Sequence, residues 1–458
     1  MSKDKLTDYD ATASNNTDVG GISVAEGMLP SGVNNAIREQ MSHLKDFASG
    51  TTGIDVLSLA DDDASHAIKL QAPSAVTADT TFTLPDGDGT ADQVLKTDGS
   101  GQLGWADRHA NPSLIVNGAM QVAQRAASVA GITAGGYKAL DRFDIDLSSA
   151  GTWTISQDTD VPAGFGSSMK FLCTAADASL GSTDRIAFRQ KFEGQDLQQL
   201  KKGTTAAKTF TVSFYVKSNK TGTYILEFYD LNNSRHINKS YTIISAATWE
   251  YKTITFDADT NGAFDNDPNA SAQLQFWLGA GSAYTSGSLQ TSWGANVTAN
   301  RAVGNVNLAD STSNEWQITG VKLELGSTAT DFEHRSFSDE LQRCMRFYEK
   351  SYAYSVAPGT AVSYPSNIGI TVRGMDEETS GQRYITNTMR VEKRADPTNT
   401  FYDDAGNAGK VTTFNNAGTG TNNVGIALVV TQPSMIGCGP SNSAIWGFGF
   451  FYESDAEL

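Results

Sequence analysis

Phe401-Tyr402-Asp403-Asp404-Ala405-Gly406-Asn407 sets two aromatic rings beside two carboxylates and an amide, and the stretch from Tyr284 to Trp293 holds a looser version of the same mixture. This is chemistry suited to gripping a sugar, whose ring offers an apolar face and a rim of hydroxyls. Tyr402, Asp403, Asp404 and Asn407 are therefore the candidate binding residues. For any single aromatic, packing in a core or against a second copy is the commoner use. A second constellation, Asp257-Ala-Asp-Thr-Asn-Gly-Ala-Phe-Asp265, matches the first half of a calcium loop, with Asp257, Asp259 and Asn261 as oxygen ligands at alternate positions and Gly262 for the turn. The match stops at Pro268, where a bidentate Glu should close the site. A solvated Asx-rich turn is the favoured reading, calcium the alternative, and no other cofactor is expected.

Catalytic patterns are missing from the sequence. Acids are plentiful, but no spacing singles out a carboxylate pair of the kind glycoside cleavage needs. His43, His66, His109, His236 and His334 show no metal-ligand spacing, there is no Gly-x-Ser-x-Gly elbow, and no regular coil repeat of a β-helix appears. The chain is expected not to be an enzyme.

Composition narrows the class. A net charge of −17 removes any general attraction to nucleic acid or anionic membranes, and no apolar run approaches the length of a bilayer span. The first ten residues lack the apolar core of a signal peptide. Cys173, Cys344 and Cys438, odd in number and far apart, argue against a disulfide framework and for assembly in a reducing cytoplasm. Abundant Gly, Ser, Thr, Asn and Asp with few 3.6-period stretches point to an all-β, turn-rich, multidomain protein.

Residues 1–50 begin as a polar segment that orders against a partner. A helix follows after Pro30, its narrow stripe made by Val33, Ile37, Met41, Leu44 and Ala48. That stripe needs a cover, either its own domain or a parallel seam with copies of itself, in which Ile37, Met41 and Leu44 are the contacts. Residues 51–110 hold short strands at 67–70 and 80–84 and a hairpin turning at Asp98-Gly99-Ser100-Gly101. Such a small hairpin lacks apolar face enough to stand alone, so several chains around an axis would complete it. Residues 111–335 supply strands near 152–155, 170–173, 187–192, 209–216, 223–229, 250–256, 272–278 and 315–318, enough for a jelly-roll sandwich. Residues 336–352 place Leu341, Cys344, Met345, Tyr348 and Tyr352 on one helical face behind a Ser336–Asp339 capping box, a connecting helix. Residues 353–458 return to strands and are expected to form a C-terminal β-sandwich.

The order of several landmarks carries a resemblance: Asn111-Pro-Ser-Leu-Ile-Val-Asn-Gly-Ala-Met-Gln-Val-Ala-Gln-Arg125, Ala139-Leu-Asp-Arg-Phe143, Trp249-Glu-Tyr-Lys-Thr-Ile-Thr-Phe256, Ile318-Thr-Gly-Val-Lys-Leu-Glu-Leu-Gly326, Cys344-Met-Arg-Phe-Tyr348 and Asp455-Ala-Glu-Leu458. Taken together they are similar to the receptor-binding tail fibres of tailed bacteriophages. Asn34-Asn-Ala-Ile-Arg-Glu39 resembles the virion-docking segment of such fibres, and Asp92-Gln-Val-Leu-Lys-Thr-Asp-Gly-Ser-Gly101 their shaft hairpin. The chain departs from the usual pattern at Ala123 and Phe143, where Trp is common. The resemblance implies a homotrimeric fibre in the virion, attached by its N-terminus to the phage tail or an adaptor protein. Its C-terminal β domains would bind a host-surface glycan, residues 353–458 being the receptor-binding tip, with no nucleic acid and no membrane insertion. A fibre that hydrolyses polysaccharide and a structural tail component without a receptor are the alternatives.

Overall fold

A computed structural model describes residues 3–49, 56–60, 66–71, 75, 81–89, 93–107, 112–362, 370–372, 385–415, 419–441 and 445–458. The chain divides into two compact units, Met1–His109 and Ala110–Leu458.

In the first unit β1 (Asp18–Val19) and β2 (Ile22–Ser23) make a minimal ladder against which α1 (Pro30–Ser49) packs. Pro30 opens α1, where a missing N–H leaves no bond unmade. Ala36 and His43 face inward, with Tyr9 Oη 2.8 Å from His43 Nδ1. Ile37, Met41 and Leu44 are 52%, 64% and 55% exposed, so their stripe is not the surface that holds α1 to its own unit. β3 (Val56–Ala60) pairs with β4 (Ala67–Gln71), and β5 (Gln93–Thr97) with β6 (Leu103–Asp107). Asp98 closes the expected turn by accepting from the backbone of Ser100 (2.7 Å) and Gln102 (3.1 Å). The strand expected at 80–84 is reduced, in its described part, to a bridge from Thr83 to Gln102; Thr80 lies outside the described residues.

The second unit is built on β7 (Ser128–Tyr137), β8 (Asp144–Asp158), β9 (Ser168–Ala175), β10 (Arg185–Glu193), β11 (Phe210–Ser218), β12 (Gly222–Asp230), β13 (Arg235–Ile243), β14 (Glu250–Phe256), β15 (Ala270–Ala280), β16 (Gly294–Ala295) and β17 (Glu315–Leu325). The order β14-β11-β17-β9-β8-β10-β15-β12-β13-β16 runs through β8, which belongs to both layers: Thr152–Asp158 pair with β9, Asp144–Ser148 with β10. The strand turns its corner at Ser149 and Gly151, both with positive φ (47° and 78°). Period-two apolar residues meet between the layers, Phe214 5.0 Å from Phe276 and Phe210 4.7 Å from Phe228, ring centre to ring centre. The result is an all-β, jelly-roll-like sandwich whose core includes the fully buried Trp153, Phe188 and Trp316.

A four-residue helix, α2 (Ser282–Thr285), sits in the segment after β15, and α3 (Phe337–Met345) follows β17. Ser336 caps α3, accepting from Asp339 N at 3.2 Å. The helix stops earlier than its apolar spacing implies. Tyr348 and Tyr352 do not continue its face, because β18 (Tyr348–Lys350) is taken into the terminal sheet as a partner of β25 (Gly447–Asp455). That sheet also contains β19 (Ile370–Val372), β20 (Ile385–Thr388), β21 (Thr398–Tyr402), β22 (Lys410–Phe414), β23 (Gly420–Gln432) and β24 (Met435–Pro440). β25 pairs with four of its strands, β18, β19, β21 and β22, and is its spine.

The sandwich corner gives a stability test. A Cβ on Gly151 would lie 2.6 Å from the Ala175 carbonyl oxygen in a left-handed backbone, whereas one on Gly164 (φ 92°) would meet nothing within 4 Å. Gly151→Ala is expected to lower unfolding free energy by about 2–3 kcal/mol and Gly164→Ala by about 1 kcal/mol, read from urea midpoints. Equal losses would mean that strain alone, without the close approach, governs the corner.

Candidate functional site

Strand alternation puts Thr398, Thr400 and Tyr402 of β21 on one face of the terminal sheet, and register aligns them with Asp455, Glu453 and Phe451 of β25. On the other edge of β25, Tyr348 lies opposite Asp455 and Lys350 opposite Glu453. Arg125 and Tyr137 from the sandwich and Pro358 from the following loop complete a groove of about 600 Å³, which Glu457 also lines.

Two phenols converge on one carboxylate. Tyr348 donates to Glu453 Oε2 at 2.7 Å and Tyr402 to Oε1 at 2.5 Å. Burial, reinforced by the Glu453 charge, pushes both phenols well above the usual tyrosine range, so they remain donors. Arg125 lies over the Tyr348 ring at 3.8 Å and is 5.3 Å from the Tyr137 ring centre. Its guanidinium also reaches Asp455 (2.9 Å), Glu457 (3.4 Å) and Asp141 (4.0 Å).

Asp141 stands at the back of this cluster, fully buried, accepting from the backbone and side chain of Gln124. Burial raises its pKa to about 6, because Arg125 is shared among three carboxylates and offsets only part of the desolvation. Glu457 is also held by Arg142, which stacks on Phe347.

Of the four residues proposed from the sequence, only Tyr402 lines the groove. Asp403 is fully buried, and its carboxylate accepts from Asn407 N (2.8 Å), Asn407 Nδ2 (2.8 Å) and Asn423 N (2.7 Å). Asp403 and Asn407 therefore bind each other and close a turn. Asp404 fixes the adjoining backbone, its N–H donating to Thr412 Oγ1 and its carbonyl accepting from Val362. In the other aromatic stretch Tyr284 packs 5.2 Å from Trp277, and Trp293 donates to the Asp257 carbonyl at 2.7 Å. Both serve packing. The groove residues that the sequence reading missed are Arg125, Tyr137, Tyr348, Thr398, Thr400, Glu453, Asp455 and Glu457. The alternation Thr398-Asn-Thr-Phe-Tyr402 was the available signal for one wall; nothing local brings Arg125 to Asp455, 330 residues away.

The candidate calcium ligands are already neutralised. Asp259 is held by Arg235 through two bonds (2.8 and 3.0 Å) and by Lys202 at 3.1 Å, while Asp257 pairs with Lys239 at 3.2 Å. Protein cations hold the carboxylates that an ion would need, and Asn261 donates its backbone N–H to Asp259. Among the described residues no group of three or more His, Cys, Asp or Glu side chains converges as a metal ion requires.

Because the folded pKa of Asp141 lies above its unfolded value, its stabilising contribution is full below about pH 4 and is lost as pH rises through about 6. Over that window unfolding free energy of the native chain is expected to fall more steeply than that of Asp141→Asn. Parallel pH profiles from chemical denaturation would contradict this assignment.

No protein-family model matches the chain, and no curated protein matches it. Among solved structures, the enzymatically active domain of tailspike protein 4 from bacteriophage CBA120 aligns with 46% of this chain and 21% of its own, at 13% identity and a TM-score of 0.26. The family 11 carbohydrate-binding module of a Clostridium thermocellum cellulosomal cellulase aligns over 44% of this chain and 99% of its own, at 13% identity and a TM-score of 0.22. A CBM4 structure aligns over 47% of this chain and 100% of its own, at 14% identity and a TM-score of 0.24. The chain thus spans about a fifth of the tailspike domain's length. At scores this far below one half, none of these likenesses bears on what the groove binds.

Proposed function

We propose that this chain is a phage tail fibre that binds a host-surface glycan in the groove between β18, β21 and β25 of the terminal sheet and Arg125 and Tyr137 of the sandwich. The observation that carries the reading is the convergence of Tyr137 and the edge of Tyr402 with threonine hydroxyls and carboxylates in one open groove, floored by the buried Tyr348. A sugar ring needs those two kinds of surface together. The groove acts as a binding site without cleavage, and its donors orient the sugar.

The first unit attaches to the tail or an adaptor protein, and three copies associate along Ile37, Met41 and Leu44, whose exposure on α1 suits a seam with like chains. The ordered landmarks from Asn111 to Leu458 favour a fibre over an isolated binding module.

Binding of the full chain to purified host-surface polysaccharide, with polymer length followed in the same samples, tests this. Saturable binding at constant polymer length is expected. Tyr402→Ala should weaken it about tenfold to a hundredfold, the effect of losing about 1–3 kcal/mol from one aromatic anchor. Progressive shortening of the polymer would replace adhesion by hydrolysis, and absence of binding would leave a structural tail component.

A further inference from the structure

We infer that the groove selects a basic amino sugar, a hexosamine with a free ammonium group placed between Glu453 and Asp455. This rests on the glycan-binding reading of the groove and names the class of sugar it accepts. The class follows from which charges already have partners.

The groove's cations are committed. Arg125, with a side chain only 10% exposed, is shared by Asp455, Glu457 and Asp141 and is covered by the Tyr348 ring. Lys350 lies on the same face of β18 but is buried, and its amine donates to the carbonyls of Tyr354 (2.8 Å) and Val356 (2.7 Å). Arg142 binds Glu457 and the Lys191 carbonyl and stacks on Phe347. None of the three offers an open guanidinium or ammonium to a sugar acid.

The carboxylates are committed unevenly. Glu457 has two guanidinium partners, Arg125 and Arg142. Glu453 receives two phenol hydrogens, but among the described residues no cation stands within ion-pair distance of it. Each of its oxygens keeps a second lone pair. Asp455 has a single ion pair through Oδ2 and accepts the Glu457 N–H at 2.9 Å through Oδ1, each oxygen keeping a further lone pair, and its side chain is 38% exposed. These two acids alternate along β25 on the groove face, opposite Thr400 and Thr398.

A uronate or phosphate entering here would meet like charge with no free cation, in a partly desolvated site where such repulsion is strong. An ammonium would instead form charge-assisted hydrogen bonds to Glu453 and Asp455. Thr398 and Thr400 would take the ring hydroxyls, and Tyr402 the apolar edge. An N-acetyl group removes the charge and adds bulk where the ammonium would bind, so acetylated hexosamines should bind more weakly.

Calorimetric titration of the full chain with short glucosamine oligomers, their N-acetylated counterparts and oligogalacturonate separates these cases. At about pH 6, where a sugar amine is largely protonated, and at roughly physiological ionic strength, the free-amine oligomer is expected to bind at least about tenfold tighter than the acetylated one. Oligogalacturonate should not compete. Asp455→Asn should cut that preference by about threefold or more, and Glu453→Gln should remove it. Because Glu453 anchors two tyrosines, Asp455→Asn is the deciding variant. Equal or tighter binding of the acetylated oligomer overturns the inference while leaving glycan binding in place. So does a preference that persists unchanged in Asp455→Asn, since that marks general attraction to an acidic chain. If no oligomer or host polysaccharide binds, the glycan-binding reading falls as well.

Discussion

The second unit depends on one buried polar seam. Arg125, Arg142, Asp141 and Glu457, with Asp455 at the solvent side, meet where the segments on either side of β7 touch the end of β25. Charges removed from water are tolerated only when each finds partners of good geometry. Here the backbone helps: Gln124 bridges Asp141 to the Tyr348 carbonyl, and Arg394 donates to the carbonyls of Ala456 and Glu457. Arg346 fastens the chain just after α3 to Glu193 at the end of β10 through two bonds of 2.8 and 2.7 Å. The sandwich and terminal sheet thus hold one fixed relation, and the groove is the solvent-facing edge of their junction.

That seam explains why certain short sequences stand out. Asn117, Gln124 and Arg125 lie in the first landmark, Asp141 and Arg142 in the second, Phe347 and Tyr348 beside α3, and Asp455 and Glu457 at the end of β25. Far apart in sequence, they are neighbours in the fold. Asn117, in a left-handed conformation, donates to the carbonyls of Val122 and Asp141 and so shapes the loop that presents Arg125. These four landmarks record a joint, and a joint specifies architecture more tightly than it specifies a ligand.

Strands whose alternation is plainly apolar were legible from sequence: Phe210, Val212, Phe214 and Val216 are all buried in the sandwich core, as their spacing required. β13 was not, because His236 and Asn238 break its apolar pattern and are buried by bonds to Glu227 and the Asn300 carbonyl. The apolar period carries α3 too far because Tyr348 and Tyr352 continue it, but pairing with β25 supplies a full backbone ladder and prevails. The groove was half legible. Tyr402 lines it, while Asp403 and Asn407 close a turn instead, because an Asx turn uses the same side chains as sugar recognition. Glu453 and Arg125 carry no local signature at all; their role exists only once strands hundreds of residues apart are assembled.

β25 has a consequence for how the protein is made. It pairs with β18, β19, β21 and β22, all of which precede it, and its end carries the acids of the seam. During synthesis those strands leave the ribosome without their shared partner, exposing edges that invite pairing with other chains. The sandwich can collapse around its aromatic core first, but the groove cannot exist until the last strand of this sequence threads between its neighbours. Non-local closure of this kind is slow. Completion of the groove is therefore a late step in folding, and the interval before it is when the chain is most open to misassembly.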